Sequence, residues 1–423
     1  MQLVRRTTNL LLEFSAPLLF GVFVALVAAN LFPEAYHHAV EWEPIHGATF
    51  FGHHLTLHFI VNDLFMVLFF GIAAKEIAES ALPGGSLNPL RKAINPLLAT
   101  AGGVLGPVAV FFAGLALFRA LGIYGPDAGP DRGWGIPTAT DIALAWMVAR
   151  AVFGKGHPAI DFLLLLAIAD DAIGLGIIAI FYGDPAHPAE AAPLVFVVAG
   201  VALAAAMSFL RVNHWTPYVL LAGPLAWYGL MSAHLHPALA LVPIIPFIPG
   251  PKRDSGLFVA EEAIGPHEVA GHHHDSPLHN FEHQVKPFVD VGLFFFAFAN
   301  AGVALEGIGP MTALVFGSLV LGKTLGVTAC SLLAVRLGFP LPEGMSTRDL
   351  VMAGYIAGLG LTVALFVSDA AFVDPILQSE AKMGALLSAG VGVSAWVLGR
   401  IFGFGRDTST VPSDALPEAQ AAK

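Results

Sequence analysis

Cysteine is almost missing from this chain: Cys330 is the only one in 423 residues, which excludes an internal disulfide framework and any all-cysteine metal site. Charge is scarce as well. Only 12% of the residues are Asp, Glu, Lys or Arg, against 56% hydrophobic residues, 45 glycines and a mean hydropathy of +0.73. An ordinary soluble domain of this length needs a more polar surface, so the composition excludes one and leaves a polytopic membrane protein. Basic residues number 20 against 31 acidic ones, a net charge of −11 that owes much to acidic segments outside the apolar runs. No nucleic-acid partner is expected.

Long apolar stretches are what the sequence has in abundance. A spanning helix takes about 20 predominantly apolar residues. Twelve stretches reach or approach that length, near 12–32, 57–78, 94–119, 137–152, 160–182, 191–210, 216–232, 235–249, 287–305, 312–335, 350–368 and 381–402. The expected fold class is all-α and polytopic, with about twelve transmembrane helices in one domain over residues 1–404. Basic residues beside spans stay on the cytoplasmic side. With Arg5 and Arg6 inside, alternation through twelve spans also puts Arg91, Lys92, Arg150, Lys155, Arg211, Lys252, Arg253, Lys286, Arg336, Arg348, Arg400 and Arg406 inside. Only Arg119, Arg132 and Lys382 fall outside, so both termini are expected in the cytoplasm. The first helix has a basic start and an apolar core but no convincing cleavage site, and is expected to remain uncleaved. Residues 33–56 are expected as an external turn or short hairpin, 250–285 as a cytoplasmic loop, and 405–423 as a disordered tail.

Two spans carry breaks. In GWGIPTATD, Gly133, Gly135 and Pro137 oppose a continuous helix, while Thr138, Thr140 and Asp141 supply oxygen atoms. In AGLGLT, Gly358 and Gly360 precede Thr362 inside apolar sequence. Non-helical backbone at membrane depth is tolerated where protein or a water-filled cavity satisfies its polar groups, so two such breaks point to an internal site. Poorly helical segments in corresponding positions of two halves are a pointer to a transporter binding site.

Charged residues inside the spans converge on the same conclusion. Asp141, Asp170, Asp171 and Lys323 each sit within an apolar run. Even lenient insertion scales charge roughly 2.5 to 3.5 kcal/mol for each such group. Ion pairing alone does not account for them, because three carboxylates cannot all pair with one lysine. Adjacent helical residues point about 100° apart. One of Asp170 and Asp171 can therefore meet Lys323 while the other faces a cavity. Two carboxylates in a poorly solvated site repel, which favours a proton or a cation beside them. A hard monovalent cation prefers oxygen ligands, and carboxylates, threonine hydroxyls and freed backbone carbonyls supply them. Proton and cation then compete for the same oxygens, and competition at a site open alternately to each side suffices for exchange. Where broken helices meet, apposed N-termini carry partial positive charge and apposed C-termini partial negative charge, which gives Asp141 and Lys323 plausible scaffold roles.

The stretches FIVNDLFMVLFF (59–70), IPTATDIA (136–143), LAIADDAIGLGIIAIFY (166–182), FFFAFANAGV (294–303), LGKTLGV (321–327) and GLGLTVALFV (358–367) together resemble the NhaA-type sodium/proton antiporters, in that family's order and over nearly the whole chain. The resemblance implies an NhaA-like fold with inverted repeats at roughly 94–182 and 312–402 whose interrupted helices, the fourth and eleventh, cross at mid-membrane. It implies Asp171 as principal cation ligand and proton carrier, Asp170 as its partner on Lys323, and Asp141 with Thr140 completing the site. It further implies electrogenic exchange of sodium or lithium for protons, no cofactor, no enzymatic activity, a homodimer joined through the 33–56 segment, and a bacterial inner membrane as location. Asp63, Glu76, Glu282 and His283 match positions that the family uses for pH sensing or ion access. The sequence around Glu76 departs from the pattern, with Lys75 before it and Ile77, Ala78, Glu79 and Ser80 after it, and so does Asp369, which replaces a typically apolar residue.

Rival readings are a potassium/proton exchanger or a sodium-coupled solute carrier on the same fold. A membrane di-iron oxygenase would need several histidine boxes, whereas His53, His54 and His58 form one, which reads as an interfacial polar patch. An intramembrane aspartyl protease needs two aspartates facing each other from different helices, whereas Asp170 and Asp171 are adjacent and diverge. The run His272, His273 and His274, followed by His279 and His283, reads either as a flexible insert or as protonatable groups at the cytoplasmic mouth.

Overall fold

The computed structural model describes residues 16–50, 53–82, 87, 90–125, 129–183, 187–251 and 276–404. The expectations for Arg5 and Arg6, for Lys252, Arg253 and the His272–His274 run, and for the tail lie outside the described residues. Helix α1 is Ala16–Leu31 and α2 is Pro33–Val40. A minimal hairpin pairs Thr49–Phe50 antiparallel with His53–His54, and α3 follows over Leu57–Ser80. Next come α4 (Leu90–Ala120), a 3-10 segment Pro130–Thr138, α5 (Ile142–Phe153) and α6 (Pro158–Phe181). Helices α7 (Leu194–Phe209) and α8 (Tyr218–Ser232) lead to α9 (Pro277–Asn300). The chain ends with α10 (Pro310–Arg336), α11 (Thr347–Ile356), α12 (Leu361–Ala371) and α13 (Pro375–Phe402).

Among the described residues, α3, α4, α6, α10 and α13 are long and apolar enough to cross a membrane. The 3-10 segment with α5, and α11 with α12, are each long and apolar enough when taken as a pair, and bend by 51° and 47° at their breaks. Helices α1, α7 and α8 are apolar but shorter. Leu105, Ile180, Phe209, Leu325 and Ile401 lie exposed on helix flanks, where a lipid bilayer rather than water solvates them.

Local chemistry sets several helix ends. Asp141 caps α5, with the Leu144 N–H donating to its Oδ1 at 3.2 Å. Ser346 and Asp349 form a reciprocal capping box on α11, and Asp374 caps α13 ahead of Pro375.

Two expected spans come out differently. Residues 235–249 form no α-helix; they hold the short 3-10 turns Pro237–Leu239 and Ile245–Phe247. Pro237, Pro243, Pro246 and Pro249 each lack an N–H, and His236 and Ile248, before the first and last of them, are extended, which overrides the apolar pattern. The span expected at 287–305 is α9, which begins ten residues earlier because Ser276 caps it and Pro277 opens it. The polar residues Glu282, His283 and Lys286, expected in or beside the 250–285 loop, are therefore in the first turns of a helix.

The closest helix contact is between α4 and α10. Gly102 and Gly106 face Gly326 and Gly322 across it, and no side chain separates the two backbones. A Cβ built on Gly102 would lie 2.1 Å from the Gly326 carbonyl oxygen, and one on Gly326 would lie 2.0 Å from that of Gly102. This small-xxx-small seam is the packing that membranes favour, because lipid tails compete with larger apolar side chains. A π-helical turn, Ser318–Gly322, precedes Lys323 and turns it off the seam toward α6. Gly326→Ala is expected to cost about 1–3 kcal/mol through overpacking. Gly317→Ala on the same helix meets nothing within 4 Å and is expected to be neutral or slightly stabilising. Thermal unfolding in detergent compares the two, and equal midpoints would contradict the seam's importance.

Candidate ion-binding site

Both chain breaks arise from residues that cannot continue a helix, and they meet. After Pro137 the backbone runs extended through Ala139 to Asp141, and after Ile356 it unwinds to Gly360. The Asp141 N–H donates to the Leu359 carbonyl at 2.7 Å. The Thr140 hydroxyl lies 2.9 Å from both the Ala357 carbonyl and Asp170 Oδ2, and its one proton serves one of them. Each break thus supplies part of the polar satisfaction that the other needs at this depth.

Asp141 joins the N-termini of α5 and α12. Its Oδ1 accepts from Leu144, and its Oδ2 accepts from the Thr362 hydroxyl in a short contact and from the Thr362 N–H at 3.4 Å. A carboxylate between two helix N-termini is held by both sets of free N–H groups.

Lys323 occupies the opposite electrostatic position. Its fully buried ammonium donates to the Thr138 carbonyl at 2.8 Å, at the C-terminal end of the 3-10 segment, and to Thr140 Oγ1 at 2.8 Å. Its third bond is a direct ion pair with the equally buried Asp170. All three donors are used.

Asp171 points elsewhere. It lines a cavity of about 200 Å³ together with Thr140, Asp141 and Thr362. Glu76 of α3 and the Lys286–Asp290 pair of α9, 2.8 Å apart, also line it. Asp171 Oδ1 is buried with no hydrogen-bond partner among the described residues. Three carboxylates and one ammonium leave the site short of positive charge, and the oxygens facing the cavity can take a proton or a small cation.

The residues expected at the site, Asp141, Asp170, Asp171, Thr140 and Lys323, come together here. The outlying set divides. Glu76 and Glu282 meet on the buried Lys75, which contacts Glu76 at 3.2 Å, Glu79 at 2.9 Å and Glu282 more closely. His283 is not part of this cluster; it is exposed and faces His279 across 6.4 Å between ring centroids. Asp63 is at the other end of α3, about 20 Å from Glu76 at 1.5 Å per residue, beside the hairpin. Sequence reasoning does not single out Asp290, although Lys286 and Asp290 at i,i+4 are a readable pair. Nor does it place Thr362 on Asp141, a contact between residues 221 positions apart.

Known proteins resemble this chain over nearly its whole length. A model of the family described as Na+/H+ antiporter 1 matches residues 12–401. A protein of Geobacter sulfurreducens named Na(+)/H(+) antiporter NhaA is 55% identical over 400 residues, covering 94% of this chain and 98% of the relative. Na(+)/H(+) antiporter NhaA 1 of Pelobacter propionicus is 54% identical, with 96% and 100% covered, and NhaA of Desulfitobacterium hafniense is 53% identical, with 94% and 97% covered.

Removing one partner of a buried pair leaves an uncompensated charge. Lys323→Ala is therefore expected to destabilise the fold by roughly 3–5 kcal/mol. Adding Asp170→Asn should recover part of that loss. Thermal unfolding of the two single variants and the double variant checks this, and a double variant no more stable than Lys323→Ala would contradict it.

Proposed function

This chain belongs to the Na+/H+ antiporter 1 family, and we propose that it exports sodium in exchange for protons across a bacterial inner membrane, with Asp171 as the group that carries either ion. The observation that carries the assignment is the division of the aspartate pair: Asp170 is committed to Lys323 through one of its oxygens, whereas Asp171 lines the cavity and no ion pair is seen for it among the described residues. A sodium ion there has the Asp171 carboxylate, the Thr140 hydroxyl and neighbouring backbone carbonyls as hard oxygen ligands. Protonated Asp171 loses the charge that attracts the ion. Sodium and proton therefore exclude each other, and alternating access to the two sides turns that exclusion into exchange.

Asp141 acts mainly as scaffold, since both of its oxygens are engaged by the N-termini of α5 and α12. Asp170 and Lys323 compensate charge, and a proton shared by that pair lets more than one proton enter per sodium leaving, which makes the exchange electrogenic. Lithium, also small and hard, is accepted. No cofactor is needed. The cluster of Glu76, Glu79 and Glu282 on Lys75, of which Glu76 lines the cavity, is the proposed pH-responsive element, because it sets three carboxylates against one ammonium. Twelve crossings, with residues 235–249 crossing as 3-10 turns rather than as an α-helix, together with inverted repeats, cytoplasmic termini and a homodimer through residues 33–56, complete the reading.

The test is transport in proteoliposomes across pH with sodium, lithium and potassium in turn. Asp171→Asn is expected to reduce sodium-dependent proton movement by at least about a hundredfold, in line with losing the carboxylate that takes either ion, while the protein stays folded. Activity near that of the parent would overturn the assignment, and exchange with potassium but not sodium would overturn the choice of cation.

A further inference from the structure

A second buried ionic group lies at the far end of the molecule, on the face that the distribution of basic residues assigns to the outside. Asp369 sits near the C-terminus of α12. One of its oxygens accepts from Lys382 Nζ of α13 at 2.7 Å and from Gln378 Nε2 at 3.2 Å. The other accepts from Asn62 Nδ2 of α3 at 3.2 Å and lies 3.2 Å from His58 Nε2. Asn62 also exchanges amide hydrogen bonds with Asn300, at the end of α9, at 3.1 and 2.8 Å.

These contacts join two parts of the molecule with different relations to the ion site. Helices α12 and α13 belong with the ion-binding unit, since Thr362, two turns before Asp369 on α12, holds Asp141. Helices α3 and α9 are walls of the cavity that Asp171 lines, through Phe69, Ile72, Val289 and Leu293. That cavity also takes in Glu76, near the opposite end of α3 from Asp369. Behind Asp369 on the outer face is a separate cavity of about 310 Å³, lined by Asp63, Tyr182, His236 and Phe372 among others.

The two sides of the Asp369 carboxylate are not equivalent. Lys382 and Gln378 are carried on α13, next in sequence to α12, and travel with Asp369. His58 and Asn62 belong to the wall. If the ion-binding unit moves against the wall, Asp369 keeps its lysine counter-ion and gives up only its bonds to His58 and Asn62. No charge is stranded. The other ionisable groups lining the outer cavity are His53 of the hairpin, Asp63 on α3, Tyr182 after α6, and His234 and His236 after α8. An ordinary apolar residue at position 369 would provide no such reversible contact.

We infer that Asp369 is a positioning residue for transport: its bonds to His58 and Asn62 form a latch that holds the outer end closed, and their release opens the outer cavity toward Asp171. This rests on the alternating-access reading above.

The test uses the full chain with Cys330→Ser and Ala370→Cys, the latter a half-buried residue lining the outer cavity, in right-side-out vesicles. A membrane-impermeant maleimide reports exposure from outside. His58→Ala, which leaves the Asp369–Lys382 pair intact, is expected to raise the labelling rate at least fivefold with an unchanged thermal midpoint and retained sodium/proton exchange. Lys382→Met, on the ion-binding side, is expected not to raise it. An unchanged rate in His58→Ala, or an equal rise in Lys382→Met that marks general loosening, overturns the latch. If labelling of the parent ignores both sodium and pH, alternating access itself fails, an outcome distinct from a sodium-responsive parent with an unresponsive His58→Ala.

Discussion

The ion pair between Lys323 and Asp170 is the contact on which the rest of the site depends. A buried ammonium is tolerable only when every donor is satisfied and its charge is opposed, and here one carboxylate, one hydroxyl and one carbonyl meet both needs. The partners come from two places in the fold. Asp170 lies on α6, Thr138 and Thr140 lie in the break before α5, and Lys323 lies on α10. The ammonium therefore fixes α10 against both the break and the paired-aspartate helix. The glycine seam between α4 and α10 belongs to the same construction, because Gly103 on that stretch of α4 lies against Asp170: a Cβ there would sit 3.5 Å from its Oδ1. A bulky residue on α4 would push α10 away from α6.

Electrostatics then sorts three carboxylates into three environments. Asp170 has a full positive charge beside it. Asp141 has the partial charges of two helix N-termini, and needs no cation for its stability. Asp171 has neither, and it lines the cavity. The adjacency of Asp170 and Asp171 on a helix is what produces this difference, since neighbours about 100° apart cannot share one partner. The same rule of divided attachment recurs at Asp369, where one oxygen faces the lysine of its own unit and the other faces the wall.

Much of this is legible in the sequence, and the parts that are not share a cause. Asp141, Asp170, Asp171 and Lys323 stand out because charge in an apolar run is expensive, and the two breaks stand out because Pro137, Gly358 and Gly360 oppose helix. Which aspartate takes the lysine is a matter of helix rotation, and no local pattern encodes it. The contact of Thr362 with Asp141 spans 221 positions, so only the fold reveals it. The 235–249 stretch reads as a span because its composition is apolar, but its four prolines decide its backbone. Residues 277–286 look like loop because they are polar, yet Ser276 and Pro277 start a helix whose first turns lie beside water and the Lys75 cluster. His283 follows Glu282 in sequence and diverges from it in space, for the same geometric reason that separates Asp170 from Asp171.

The central claim is that one set of buried oxygens takes either a proton or sodium. Calorimetric titration of sodium into the purified protein near the pH of half-maximal binding, repeated in buffers with different ionisation enthalpies, measures the protons released per ion bound. The account predicts an observed heat that varies linearly with buffer ionisation enthalpy, with a slope corresponding to at least about one proton released. A heat identical in every buffer would contradict it.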